Sequence, residues 1–183
     1  RVCSMHEKQI EPSGSSYQIS SPTSLNMLNG SEKFLVWVIH HWAYELNDNR
    51  DPLPKIKKAF DSIGFKDSSQ LTSDIFSEIL LNLFTSSTVQ LTVGCPHKLG
   101  TAEHVILGYL GFFQSNQLQI GENLLSKCLP QASVRIVSKM LKALGKQLLC
   151  HNFNISVRPE HLDMLSNTKH AVQKNAGQER IIH

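Results

Sequence analysis

The segment 131–150, QASVRIVSKMLKALGKQLLC, constrains the fold of this chain more than any other stretch. Val134, Val137, Met140, Leu141, Leu144 and Leu148 lie within an arc of roughly 120° when each residue advances about 100° around a helix axis. Pro130 stands just before the segment, where it breaks the preceding element. An amphipathic helix of this length must bury its stripe against other elements, and the rest of the chain offers mainly further helices.

Ser31 is the expected cap of a first helix over 32–46, in which Phe34, Leu35, Val36, Trp37, Val38, Ile39, Trp42, Ala43 and Leu46 surround the axis. A helix apolar all round is expected to be buried, within this chain or against another subunit. A second, short helix starts near Pro54, with Ile56, Ala59, Phe60 and Ile63 at i, i+3, i+4 and i+7, and stops at Gly64. Thr72 or Ser73 is expected to cap a third, with Ile75, Ile79, Leu80, Leu83 and Phe84 inward. Thr101 is expected to cap a helix over 102–113, whose Gly108 and Gly111 predict another helix crossing closely. Asn116 is the expected cap of the next, with Ile120, Leu124, Leu125 and Cys128 inward. Pro159 opens a last helix over 159–174 with Leu162, Leu165 and Val172 as its contacts. The one strand signal is Thr88–Val93, β-branched and alternating but without a partner strand.

The count is seven helices, which predicts an all-α fold of about this many short-to-medium helices, as an irregular bundle or a solenoid-like stack of helical pairs. No repeat of about 33 to 47 residues recurs. The chain has 183 residues, enough for one core burying on the order of 70% of the unfolded surface. The polar, Ser-rich segment 1–24, which includes Ser21-Pro22, is expected to be disordered or laid over the surface. A single helical domain is expected over 25–174 and a loose tail over 175–183. The chain opens on Arg without an apolar signal core, so a piece of a larger protein is expected.

Charge is nearly balanced, 18 Lys+Arg against 15 Asp+Glu, which neither demands nor excludes a nucleic-acid partner. No apolar run approaches the roughly 20 residues of a spanning helix, so no membrane role is expected. Cys3, Cys95, Cys128 and Cys150 are widely spaced and are read as free thiols of a reducing compartment, which predicts an intracellular site, cytoplasmic or nuclear. Two sequons, Asn29-Gly30-Ser31 and Asn154-Ile155-Ser156, carry little weight without a secretory signal.

No phosphate loop, dinucleotide turn, nucleophile elbow or zinc-protease helix occurs in the sequence, so no enzyme and no catalytic residue are expected. Cys95, His97 and His104, with Cys150 and His151, contain the right atoms for zinc, but CPHKLGTAEH fits no common zinc module. The expectation is therefore no metal and no cofactor. Of His40 and His41, at least one is expected to face the interior, with a hydrogen-bond partner for each nitrogen hidden from water.

The most informative chemistry is a basic ridge. Arg135, Lys139, Lys142 and Lys146, at i, i+4, i+7 and i+11, share a narrow arc opposite the Val/Leu stripe, and no acidic residue interrupts them between Gln131 and Cys150. Such a ridge, about 15 to 20 Å long, suits an acidic protein surface or a line of phosphates. No aromatic residue is interleaved to stack bases. A non-enzymatic scaffold or adaptor domain that binds another protein is the leading expectation, with phosphate-backbone binding through the ridge as the alternative. Trp37, Trp42, Val89, Leu91 and Val93 are the second candidate interface. Oligomeric state is left open.

Overall fold

The computed structural model describes residues 25–163 apart from Pro96. They form six α-helices, α1 (Gly30–Asn47), α2 (Leu53–Ser62), α3 (Ser69–Ser86), α4 (Thr101–Gln114), α5 (Leu118–Ser126) and α6 (Gln131–Cys150), preceded by one 3-10 turn at Leu25–Met27. Among the described residues there is no strand, so the class is all-α. A further helical turn begins at 160–163, after Pro159. The remainder of the expected last helix lies outside the described residues, as do the 1–24 segment with Cys3 and Ser21-Pro22, and the 175–183 tail.

Helix α6 runs from Gln131 to Cys150, as its stripe predicts, and Val134, Val137, Leu141, Leu144 and Leu148 are buried while Met140 is half-buried. It packs against α3, α4 and α5; α1 packs on α2 and α4, and α2 on α3. Phe60, Phe65 and Phe76 are fully buried between these helices. Phe60 meets Phe34 and Phe65 edge-on at 5.2 Å, and Phe153 meets Phe65 at 5.4 Å and Phe34 at 5.7 Å. Each such ring pair adds about 0.5–1.5 kcal/mol beyond the area it hides.

The helix buried on every side is α4, not α1. All residues from Thr101 to Phe112 are buried. In α1 the inward line is Leu35, Val38, Ile39 and Trp42, whereas Trp37, Tyr44 and Leu46 are exposed. The glycines of α4 explain its depth. A Cβ on Gly108 would lie 2.8 Å from Leu124 of α5 and 2.9 Å from His161, and one on Gly111 would lie 2.9 Å from the Ser156 carbonyl oxygen. The close crossing expected here is thus a helix on one side and an extended segment on the other.

Four helix starts differ from expectation: α4 is capped by Gly100 with Thr101 already inside it, and the other three differ for local reasons. Helix α1 is capped by Asn29, whose Oδ1 accepts from the Glu32 amide at 2.9 Å while the Glu32 carboxylate accepts from the Asn29 amide at 2.8 Å. This reciprocal box satisfies two amides that Ser31 does not. Helix α3 begins at Ser69, so Thr72 and Ser73 are buried inside it, and the Ser73 hydroxyl donates back to the Ser69 carbonyl at 2.7 Å. Helix α5 begins after Gln117, with Asn116 in the left-handed region at φ +58°. Its inward face is Gly121, Leu124 and Leu125, leaving Ile120 38% exposed.

Thr88–Val93 is extended but joins no sheet. The Thr88 amide donates to the Cys128 carbonyl, the Thr92 amide to the Thr101 hydroxyl, and the Thr92 carbonyl accepts from the Ala102 amide. The segment is an extended strap laid along the helices, alternately half-buried and exposed.

Candidate functional site

On α6 the cations of the ridge sit where their spacing puts them. Arg135, Lys139 and Lys146 are exposed and Lys142 is half-buried. Lys142 donates to the Glu122 carboxylate of α5 at 2.9 Å. The same carboxylate oxygen accepts from the Ser138 hydroxyl at 2.9 Å, and that hydroxyl is 2.7 Å from the buried Tyr109 hydroxyl. Lys142 first, and Ser138 with it, hold the Glu122 carboxyl below the usual carboxylate range, while burial pushes the Tyr109 hydroxyl up to about 12. Lys142 is therefore committed to the fold. Arg135, Lys139 and Lys146 have no carboxylate partner among the described residues.

Beside this ridge, between α3 and α6, runs a groove of about 500 Å³ lined by Ile75, Ile136, Met140 and Ala143 and rimmed by Arg135 and Lys139. Ile136 is 53% exposed. On the other side of the same two cations, a polar recess of about 280 Å³ opens against α5, where Glu122 and Lys142 meet. Arg135 and Lys139 thus stand on a divide between an apolar and a polar depression. The apolar half was not anticipated. Ile136 falls off the Val/Leu stripe of α6, and that displacement was its only sequence signal; Ile75 looks like an ordinary inward residue of α3.

The second candidate interface separates into unlike parts. Trp37 is 46% exposed, stacked on His41 at 4.9 Å and close to Phe34. It borders a recess of about 240 Å³ with Lys33, Val36 and His40. Trp42, by contrast, is a core residue, buried, with its indole N–H donating to the Ser77 hydroxyl at 2.9 Å and its ring stacked on Phe84. Val89, Leu91 and Val93 are half-buried against the core. Trp42 therefore belongs to the core, whereas the strap residues keep part of their apolar area at the surface.

The histidines divide in a similar way. The His40 Nε2 lies 2.7 Å from the Glu103 carboxylate, which is fully buried and also accepts from the Gly94 amide at 2.7 Å and the Gly100 amide at 3.1 Å. His104 is paired with His161, Nδ1 to Nδ1 at 2.9 Å, in the interior. Burial pushes both imidazoles down, His161 to about 3, with His104 and Arg158 adding to the effect at His161. Cys95 and Cys150 are exposed, and Cys128 is buried, its thiol pushed up to about 11 by burial. Among the described residues no group of three or more His, Cys, Asp or Glu side chains is placed to hold a metal ion, and no described helix is long and apolar enough to cross a membrane.

Three buried carboxylates escaped the sequence reading, Glu32, Glu45 and Glu103. Glu32 and Glu103 stand three residues after their helix caps, Asn29 and Gly100, the spacing of a capping glutamate, and that pattern was available to find them. No family model, curated protein or solved structure matches this chain.

Proposed function

We infer that this chain is a non-enzymatic helical scaffold or adaptor module that binds another protein through the face shared by α3 and α6. One observation carries the reading: an apolar groove of about 500 Å³ is rimmed by two exposed cations that have no carboxylate of their own among the described residues. Protein interfaces combine an apolar centre with a polar rim, and arginine is enriched in them. The free thiols at Cys95, Cys128 and Cys150 support placing the module inside the cell, as part of a larger assembly.

The alternative is a phosphate backbone lying along Arg135, Lys139 and Lys146. The length and exposure of the ridge favour it. The neutralisation of Lys142 and the apolar groove beside the ridge count against it.

The test is recovery of partners from cell lysate on the tagged chain, with and without nuclease, comparing wild type with Ile136→Asp and with Arg135→Glu/Lys139→Glu. Proteins that survive nuclease and are lost from both variants support the protein-binding reading. Loss of all partners on nuclease treatment, or binding that falls steeply with salt on duplex probes, makes the phosphate reading the better one.

A further inference from the structure

We propose that the α3–α6 groove receives an acidic amphipathic helix from a partner protein, with apolar side chains seated on Ile75, Ile136, Met140 and Ala143 and carboxylates over Arg135 and Lys139. The inference rests on the protein-binding reading above and names the chemistry of the partner.

Charge complementarity selects this occupant. None of the six groove-lining residues is acidic, and the two that are charged are both cations. Helix α6 has no Asp or Glu anywhere in its length, so its own side of the groove carries charge of one sign only. Residues 1–24 and 164–183 carry no acidic excess. Residues 1–24 hold Arg1 and Lys8 against Glu7 and Glu11, and residues 164–183 hold Lys169, Lys174 and Arg180 against Glu179. The two cations of the rim match a partner that brings carboxylates to them.

Geometry then favours a helix. Arg135 and Lys139 are one turn apart, about 6 Å along the axis at 1.5 Å per residue, which is the rise between carboxylates at i and i+4 of a helix laid alongside. Ala143 keeps one wall of the groove low, and Met140, unbranched and adaptable, can shape itself to an inserted side chain. An apolar row on the partner at i, i+3, i+4 and i+7 enters such a groove while its acidic flank meets the rim. A phosphate backbone has no apolar row to fill the groove.

The experiment uses the full 183-residue chain and three fluorescein-labelled probes. These are an amphipathic peptide with Leu on one face and Glu on its flanks, the same peptide with Lys for Glu, and a random-sequence DNA duplex. We expect saturable binding of the acidic peptide and no binding of the basic one. Arg135→Glu/Lys139→Glu should weaken the acidic peptide about tenfold or more and admit the basic peptide. Ile136→Asp should weaken it to a similar degree, and Lys33→Glu on α1 should leave it unchanged. All four positions are exposed, and helical content by circular dichroism checks each variant; should Ile136→Asp fail to fold, the charge exchange decides alone. Equal binding of both peptides, binding of neither, self-association that blocks the groove, or tighter binding of the duplex overturns the proposal. If neither peptide binds while a nuclease-resistant lysate partner is still lost on Ile136→Asp, this proposal falls and the protein-binding reading stands. If no lysate partner depends on Ile136, Arg135 or Lys139 either, both fall.

Discussion

Gly111 shows how a single residue can decide a packing distance. In a helix, alanine is favoured over glycine by about 1 kcal/mol. A Cβ at Gly111, however, would stand 2.9 Å from the Ser156 carbonyl oxygen and 3.2 Å from its carbon, which are backbone atoms that cannot rotate away. Overpacking of this kind costs about 1–3 kcal/mol, so Gly111→Ala should destabilise the chain in spite of its better propensity. Urea unfolding checks the sign: a raised midpoint would show that the 153–158 segment yields easily. The His104–His161 pair makes a second prediction. Both imidazoles titrate below their ordinary value in the folded chain, so between about pH 4.5 and 6.5 the unfolded chain binds more protons and stability falls as pH falls. His161, pushed down to about 3, contributes a slope of up to about 1.4 kcal/mol per pH unit in that window, and His104 acts in the same direction. The groups around the pair are Glu103, Glu160 and Lys98 at His104 and Arg158 and Glu32 at His161. The carboxyls held low, Glu32, Glu45, Asp61 and Glu122, lose their contribution only at more acid pH. His161→Asn should therefore flatten the melting temperature against pH between about 4.5 and 6.5, and a slope unchanged from wild type would assign the effect elsewhere.

At the scale of elements, the two capping glutamates do more than close helix ends. Burial alone pushes the Glu32 carboxyl up, but the Arg158 guanidinium and the Asn29 and Ser156 amides outweigh that and hold it below the ordinary range. Glu32 thereby joins the start of α1 to the segment after α6, with Arg158 at 2.8 Å and the Ser156 amide at 2.8 Å. Glu103 joins the start of α4 to Gly94 and to His40 of α1. At the other end of α1, Glu45 accepts from Lys55 of α2 at 2.6 Å and from Arg50 at 2.7 Å, fixing the turn between the helices. Asn29 is the most informative position to alter, because its side chain also donates to the Asn154 carbonyl at 3.0 Å. Asn29→Ala should cost about 1–2 kcal/mol, and Asn29→Asp, which keeps the cap but not the donor, should cost less. Equal losses in the two variants would place the weight on the Asn154 contact. The positions of these caps show the reach of the sequence. Helix α6 was legible end to end because its apolar stripe repeats over about four turns and Pro130 marks its start. The start of α3 was not, because Thr72 and Ser73 look like caps and are buried helical residues instead.

For the molecule as a whole, the stretch after α6 closes the structure. Phe153 packs on Phe34 and Phe65, Ile155 is buried, Arg158 binds Glu32 and the Met27 carbonyl, and His161 completes the pair with His104. A chain ending at Asn152 should lose about 3 kcal/mol or more, since it exposes core rings and leaves Glu32 buried without its cation. Calorimetry of the shortened chain checks this, and a melting temperature equal to that of the full chain would show the stretch to be decoration. The same shortening leaves the α3–α6 groove untouched in its lining residues, so a folded remnant should retain peptide binding.

Periodicity and composition by themselves determined the all-α class, the length and inward face of α6, and the cationic ridge on its outer side, since each depends on the spacing of residues along one helix. Only the tertiary structure decided which helix is wrapped on every side, that Trp42 is buried while Val89, Leu91 and Val93 are half-buried, that Lys142 is neutralised by Glu122, and that Ile75 and Ile136 form a groove beside Arg135 and Lys139. Those outcomes depend on distances between residues far apart in the chain, which local spacing does not encode. An exposed isoleucine and a buried one read alike in sequence until the neighbouring helix is in place.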